Sequence, residues 1–173
     1  MTRANIKTPV YLDNHASTPV DPRVMDAMLP WFTEKFGNPH STGHGFGREA
    51  AEAIEIARGQ VASLIGADPR EIIFTSGATE SNNLAIKGAA RFERKHRDRR
   101  NKIVSLVSEH KCVIESVKDM AQEGFETVML PVLSSGKVDL AELDRAVDDN
   151  TLLVSIMTAN NEIGVVQPVE EIG

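Results

Sequence analysis

Between Glu71 and Thr158 four short apolar runs alternate with stretches of helical periodicity, and no other feature of the chain restricts its fold as much. The runs are EIIFTS (71–76), KIVSLVS (102–108), ETVMLPV (126–132) and TLLVSIMT (151–158). Helical patterns fill the gaps from about Thr79 to Arg97, from about Lys111 to Glu123, and from Leu140 to Asp148. Short apolar strands separated by amphipathic helices predict right-handed βαβ units, hence an α/β fold with a mostly parallel sheet and flanking helices. Sheets of this kind bind ligands at the carboxyl ends of their strands, so function is to be sought there.

Two further helices precede the alternation. Asp21 followed by Pro22 is a cap and first-turn pair, after which Met25, Met28, Leu29, Phe32 and Phe36 recur at helical spacing up to Gly37, with Pro30 as a kink. Ala50, Ala53, Ile54, Ala57, Val61 and Leu64 form one face of the second, and Gly66 stands where a left-handed C-cap belongs.

Bulk properties remove several function classes. At 173 residues the chain can bury one ordinary core, and 41% apolar with 25% charged residues is the balance of a soluble globular protein. A net charge of -6 argues against a dedicated nucleic-acid binder. The basic stretch RFERKHRDRRNK (91–102) reads either as a solvated helix end, where cations suit the negative dipole pole, or as a partner or nucleic-acid contact. Cys112 is the only cysteine, which rules out an internal disulfide. No signal-peptide core and no run of about 18 apolar residues is present, so a cytoplasmic location away from membranes is expected.

The ends of the predicted strands carry the chemistry. TSGATE (75–80) is open to two readings: an ordinary turn in which Ser76 or Thr79 caps the next helix, or an anion site on the free amides of a helix N-terminus. The small residues Ser76, Gly77 and Ala78 favour close approach of a ligand to backbone, whereas neither a P-loop nor a G-x-G-x-x-G fingerprint occurs. His110, in SEHKC, is either structural or a group that stacks on a planar ligand and moves protons near neutral pH. Cys112 reads as a small buried hydrophobe rather than a nucleophile paired with His110. NNEIG (160–164) is a turn, or a pair of amides that donate to a ligand. His40 and His44 lack the company a metal site needs, and FGNPHSTGHGFG (36–47) reads as a glycine-rich loop entering a helix.

YLDNHASTPVDPRV, FGNPHSTGHGFG, IIFTSGATESNNLAIKG, SEHKCVIES and LLVSIMTANNEIGVVQP, in this order from Tyr11 to the end, together resemble the cysteine desulfurases of the NifS and IscS type. These are pyridoxal phosphate enzymes of aminotransferase class V, built on the large domain of the aspartate-aminotransferase fold. They convert L-cysteine to alanine and hold the sulfur as a persulfide for iron-sulfur cluster assembly and other sulfur transfer. The resemblance implies that Ala78 and Thr79 contact the cofactor phosphate, that His110 stacks on its ring and assists proton transfer, and that Asn161 reaches the ring hydroxyl and the substrate region. The loop around Asn38, a substrate-side residue, and a strap near Asn14 and His15 would lie close to the active site. Residues 1–20 would form that strap and 21–173 an incomplete cofactor-binding domain.

In the family the aspartate and glutamine that serve the pyridine ring, the Schiff-base lysine and the persulfide cysteine all lie beyond position 173. Lys137, in SSGK, sits in a turn well upstream of the family's lysine, and Cys112 is not at the sulfur carrier's position. The implied identity is therefore the N-terminal part of a desulfurase, inactive alone, whose full-length parent is a homodimer that passes sulfur to an acceptor or scaffold protein. Alternatives are a fragment of a selenocysteine lyase or another class V enzyme, and a non-catalytic subunit of a split enzyme.

Overall fold

The computed structural model describes residues 9–173, so the first eight residues of the expected strap lie outside the described residues. The chain packs as two units, Met1–Phe74 and Thr75–Gly173, and the expected boundary after residue 20 falls inside the first.

The first unit holds α1 (Pro22–Thr33), α2 (Gly45–Ile65) and a 3-10 turn at Pro69–Glu71. Asp21 caps α1 by accepting from the Arg23 amide, with Pro22 in the first turn, as the sequence predicts. The helix stops at Thr33 instead of running on to Gly37, because the amides of both Glu34 and Lys35 turn back to the Pro30 carbonyl. The second helix starts five residues earlier than its apolar face suggests, with the His44 ring accepting from the Gly47 amide, and ends at Gly66 in the left-handed conformation, φ 69°. Two glycines are needed around its start: a Cβ on Gly47, in its first turn, would collide with the Ser41 carbonyl, and one on Gly37, in the loop before it, with that of Phe46. The predicted inward faces are largely uncovered, with Met25, Leu29, Phe32, Val61 and Leu64 exposed.

One expected strand does not form. Glu71 belongs to the 3-10 turn, and the residues after it pair with no neighbour; Ile73 and Phe74 are exposed. Apolar character makes a strand only where a ladder partner exists, and here the Arg58 guanidinium takes the Ile72 carbonyl that a neighbouring strand would need.

The second unit contains the sheet. Its elements are α3 (Ala78–His96), β1 (Lys102–Leu106), α4 (Lys111–Gln122), β2 (Glu126–Leu130), α5 (Leu140–Ala146), β3 (Thr151–Ser155) and the short α6 (Val169–Ile172). The order is β2-β1-β3 with both pairings parallel, Val104 standing opposite Val128 on one side and Val154 on the other. The βαβ alternation read from the sequence is thus realised for three of its four strands. Every residue of β1 is buried, as a central parallel strand covered on both faces requires.

Alternation along β1 feeds two cores. Ile103 packs with Ile86, Ala90, Val113, Val117, Met120 and Phe125 from α3, α4 and the turn into β2. Val104 and Leu106 pack on the other side with Leu130, Val138 and Leu143. The amino ends of the strands are tied by charge: the Lys102 ammonium lies 2.5 Å from Asp148 and 3.5 Å from Glu126. Its hydrogen bond to Asp148 holds the lysine pKa above its ordinary value and the aspartate below its own.

Two outcomes follow. Met120 is fully buried, so Met120→Ala removes core volume that the two helices and the sheet cannot refill; unfolding free energy should fall by about 2–4 kcal/mol, read as a lower urea midpoint at unchanged slope. Because the folded pKa of Asp148 is depressed, its contribution is present above the ordinary aspartate value and lost as pH falls through the lower folded one. The raised pKa of Lys102 gives the opposite limit, with loss as pH rises through that value. Asp148→Asn should therefore lose stability near neutrality and lose less on acidification than the parent, in urea midpoints measured across a pH series.

Candidate functional site

Three chain segments end at the carboxyl edge of the sheet: the start of α3, the β1–α4 loop and the segment after β3. At the first, neither expected cap is found. Gly77 occupies the N-cap position, in extended backbone, and no side chain caps the helix. Ser76 is engaged elsewhere, its amide and hydroxyl both donating to the Glu80 carboxylate at 2.7 and 2.6 Å. Those bonds, the hydroxyl's first, lower the Glu80 pKa below the usual glutamate value, so the group is an anion at neutral pH. Thr79 does not cap either; its carbonyl accepts from the Asn83 amide group at 2.8 Å. By contrast α1, α2 and α4 each begin with a side-chain acceptor, from Asp21, His44 and His110. Ala78 and Thr79 are exposed, and a Cβ at Gly77 would meet nothing within 4 Å, so the backbone is open to approach.

His110 is the N-cap of α4. Its Nδ1 accepts from the Cys112 amide at 3.2 Å and lies 3.0 Å from the Cys112 sulfur. With Nδ1 as acceptor, the neutral ring carries its proton on Nε2. The Cys112 sulfur also receives the Asn82 amide group at 3.2 Å, and Asn82 lies on the second turn of α3. A chain of contacts therefore connects the start of α3 to His110 through a thiol. Cys112 is half-buried against the core, which agrees with the small-hydrophobe reading.

After β3 the two adjacent asparagines behave differently. Asn160 is buried: its Nδ2 donates to the Ser108 carbonyl at 2.8 Å, while its Oδ1 accepts from the amides of Glu162 and Ile163. Asn161 is exposed. Glu109, just before His110, is also buried, and its carboxylate accepts from the Met157 amide at 2.8 Å. Burial pushes the Glu109 carboxyl pKa up, only partly offset by that bond.

Ala78, Thr79, His110 and Asn161 thus fall on three segments held together by side-chain hydrogen bonds. Asn38 belongs to the first unit, where its side chain serves its own loop by accepting from the His40 amide at 2.9 Å. Asn14 and His15 are exposed in a turn of the same unit. Lys137 sits in the tight turn closed by Leu133 and Gly136, the latter at φ 81°. Sequence reasoning missed Glu109 and Asn82, and read Asn160 as a ligand donor where it is a buried tie to the Ser108 carbonyl. For Glu109 and Asn160 the signal available was a polar residue directly beside a flagged one, but its significance depends on burial, which spacing does not reveal; Asn82 stands beside no flagged residue.

The arrangement offers unpaired helix amides for an anion, an imidazole with a free Nε2, and a side-chain amide. Among the described residues no cluster of three or more His, Cys, Asp or Glu could hold a metal, and no helix is long and apolar enough to cross a membrane.

Known proteins similar to this chain identify its family. The chain is 58% identical over 169 residues to the cysteine desulfurase IscS of Rickettsia rickettsii (strain Iowa), covering 98% of this chain and 40% of that protein. A solved NifS-like protein superposes with a TM-score of 0.85 at 47% identity, over 94% of this chain and 44% of its own. SspA, solved in complex with cysteine, gives 0.82 at 41% identity, over 94% of this chain and 46% of its own. The chain spans about 40% of the length of the curated relatives it matches. The pattern of the aminotransferase class-V family runs through residues 10–173, and with the parallel sheet and its strand-end site in place, the chain belongs to that family.

Proposed function

We propose that this chain is the N-terminal portion of a pyridoxal phosphate-dependent cysteine desulfurase, and that residues 78–161 form the phosphate and ring-facing part of its cofactor site. The observation that carries the reading is the uncapped N-terminus of α3, linked by hydrogen bonds to the loop that bears His110. The donor set fits the cofactor. Exposed amides at the positive end of a 19-residue helix suit a phosphate, the exposed His110 ring suits a planar heterocycle, and the exposed Asn161 amide suits a ring hydroxyl.

When bound, pyridoxal phosphate supplies an electron sink for the α-carbon of an amino acid. The residues of this chain bind, orient and exchange protons. Ala78 and Thr79 anchor the phosphate through their amides. His110 would face the ring and exchange a proton at Nε2, since Nδ1 is held by the Cys112 amide. The exposed Asn161 amide would donate to the ring hydroxyl, on the substrate side. L-cysteine as substrate is supported by the similarity to curated desulfurases and to SspA with its bound cysteine. The lysine that carries the cofactor and the persulfide cysteine belong to the remainder of the parent, a homodimer that delivers sulfur to an acceptor or scaffold protein.

Pyridoxal phosphate added to the purified chain should bind reversibly, one per chain, by absorbance titration, and His110→Ala should weaken binding about tenfold. Borohydride reduction followed by peptide mass spectrometry should reveal no specific lysine adduct, and cysteine should yield no sulfide. A single stoichiometric adduct at Lys111 or Lys137 would overturn the assignment of the cofactor lysine to another part of the parent.

A further inference from the structure

In both loops at the carboxyl edge of the sheet, a buried polar residue immediately precedes an exposed one. Glu109 (7% exposed) is followed by exposed His110, and Asn160 (7% exposed) by exposed Asn161. The buried member of each pair reaches across to the other loop. The Glu109 carboxylate takes the Met157 amide after β3, and the Asn160 amide group gives a hydrogen bond to the Ser108 carbonyl after β1, both at 2.8 Å. The two bonds run in opposite senses: Glu109 accepts for the β1 loop, and Asn160 donates from the β3 loop.

From these ties we infer that Glu109 and Asn160 are positioning residues, a reciprocal clamp that fixes His110 relative to Asn161 and so sets how the cofactor ring is held. The inference rests on the cofactor reading above and adds two residues and a role to it.

Three observations carry it. First, the ordinary ladder between β1 and β3 ends at Ser105 and Ser155, so beyond that point these side chains replace backbone pairing. Second, a carboxylate is a costly choice for such a place. Burial opposes its ionisation, and a buried acid with one amide partner is a poor way to gain stability alone. Third, each tie is one residue from the group it orients. Rotation of that backbone moves the neighbouring side chain directly, whereas the α3 phosphate cradle shares neither tie.

The separation of ring from phosphate supplies the test. Wild-type chain, Glu109→Ala, Glu109→Gln and Asn160→Asp would each be titrated with pyridoxal phosphate and, separately, with inorganic phosphate. Exchange of the Met157 amide and the His110 ring resonances would be followed by NMR. Gln keeps an oxygen for the Met157 amide, so it should behave as wild type. Asp at 160 keeps the acceptor for Glu162 and Ile163 but loses the donor to Ser108.

Glu109→Ala and Asn160→Asp should weaken pyridoxal phosphate about tenfold while inorganic phosphate stays within about twofold. Glu109→Ala should also speed Met157 exchange and shift the His110 ring signals, with Glu109→Gln restoring both. Unchanged pyridoxal phosphate affinity in both variants would overturn the clamp. Equal loss of both ligands would overturn it too, since that is the result of general damage to the fold. A wild-type chain that binds neither ligand would instead defeat the cofactor reading. The clamp would then stand or fall on Met157 exchange and the His110 signals alone.

Discussion

The second unit depends on the burial of β1 between two parallel neighbours. All five of its residues are buried, so their backbone groups must find partners in β2, β3 and the residues that flank them, as the Lys102 amide does on the Asn150 carbonyl. Its polar side chains are committed too, the Ser105 hydroxyl donating to the Ser155 carbonyl at 2.8 Å and the Lys102 ammonium to Asp148. The alternation of Ile103 with Val104 and Leu106 then divides the helices into two layers, because each face offers apolar surface that only an amphipathic helix or an apolar connection can cover. Once that strand is fixed, the loops after β1 and β3 are neighbours by necessity, whatever they contain.

The two ends of the sheet are fastened by different chemistry. At the amino edge a lysine joins two acids, and the Asn150 carbonyl and side chain both accept from the Asn101 amide. Such groups can be half-exposed, and water moderates their cost. At the carboxyl edge the ties come from the buried side chains of Glu109 and Asn160, which turn inward and leave His110 and Asn161 outward. A site for a polar ligand needs this division. Donors that face the ligand cannot also hold the loops together, so a second set of residues does the holding.

The helix boundaries were legible in the sequence to a degree that reflects local chemistry. Asp21 with Pro22, and Gly66, act over one turn and can be read without knowing what lies beyond them. The three strands of the sheet were legible for a similar reason, since their apolar runs are bounded by polar turns. EIIFTS was not, because whether an extended apolar segment pairs is decided by a partner remote in sequence. The same limit applies to the apolar faces of α1 and α2, whose periodicity is correct while their burial is not. In the site, the exposed group in each pair was legible and the buried one was not. His110 and Asn161 stand out as chemistry, but Glu109 and Asn160 look like loop residues until the bonds across the sheet edge are seen.

The start of α3 shows how a sequence can point to function through a cap that it withholds. Ser, Thr and Asp are abundant at helix starts because they satisfy amides that the helix leaves free, and this chain uses such acceptors elsewhere. TSGATE has the same residue types within reach, yet the Ser76 hydroxyl is drawn to Glu80 and the Thr75 hydroxyl to Ser81 at 2.6 Å. These internal bonds stiffen the turn without using the amides of Ala78 and Thr79. A turn selected for stability alone would place one of those oxygens on the helix amides. The arrangement here holds the backbone in shape and leaves the first amides of the helix without a side-chain acceptor, which is the observation the proposed phosphate site rests on.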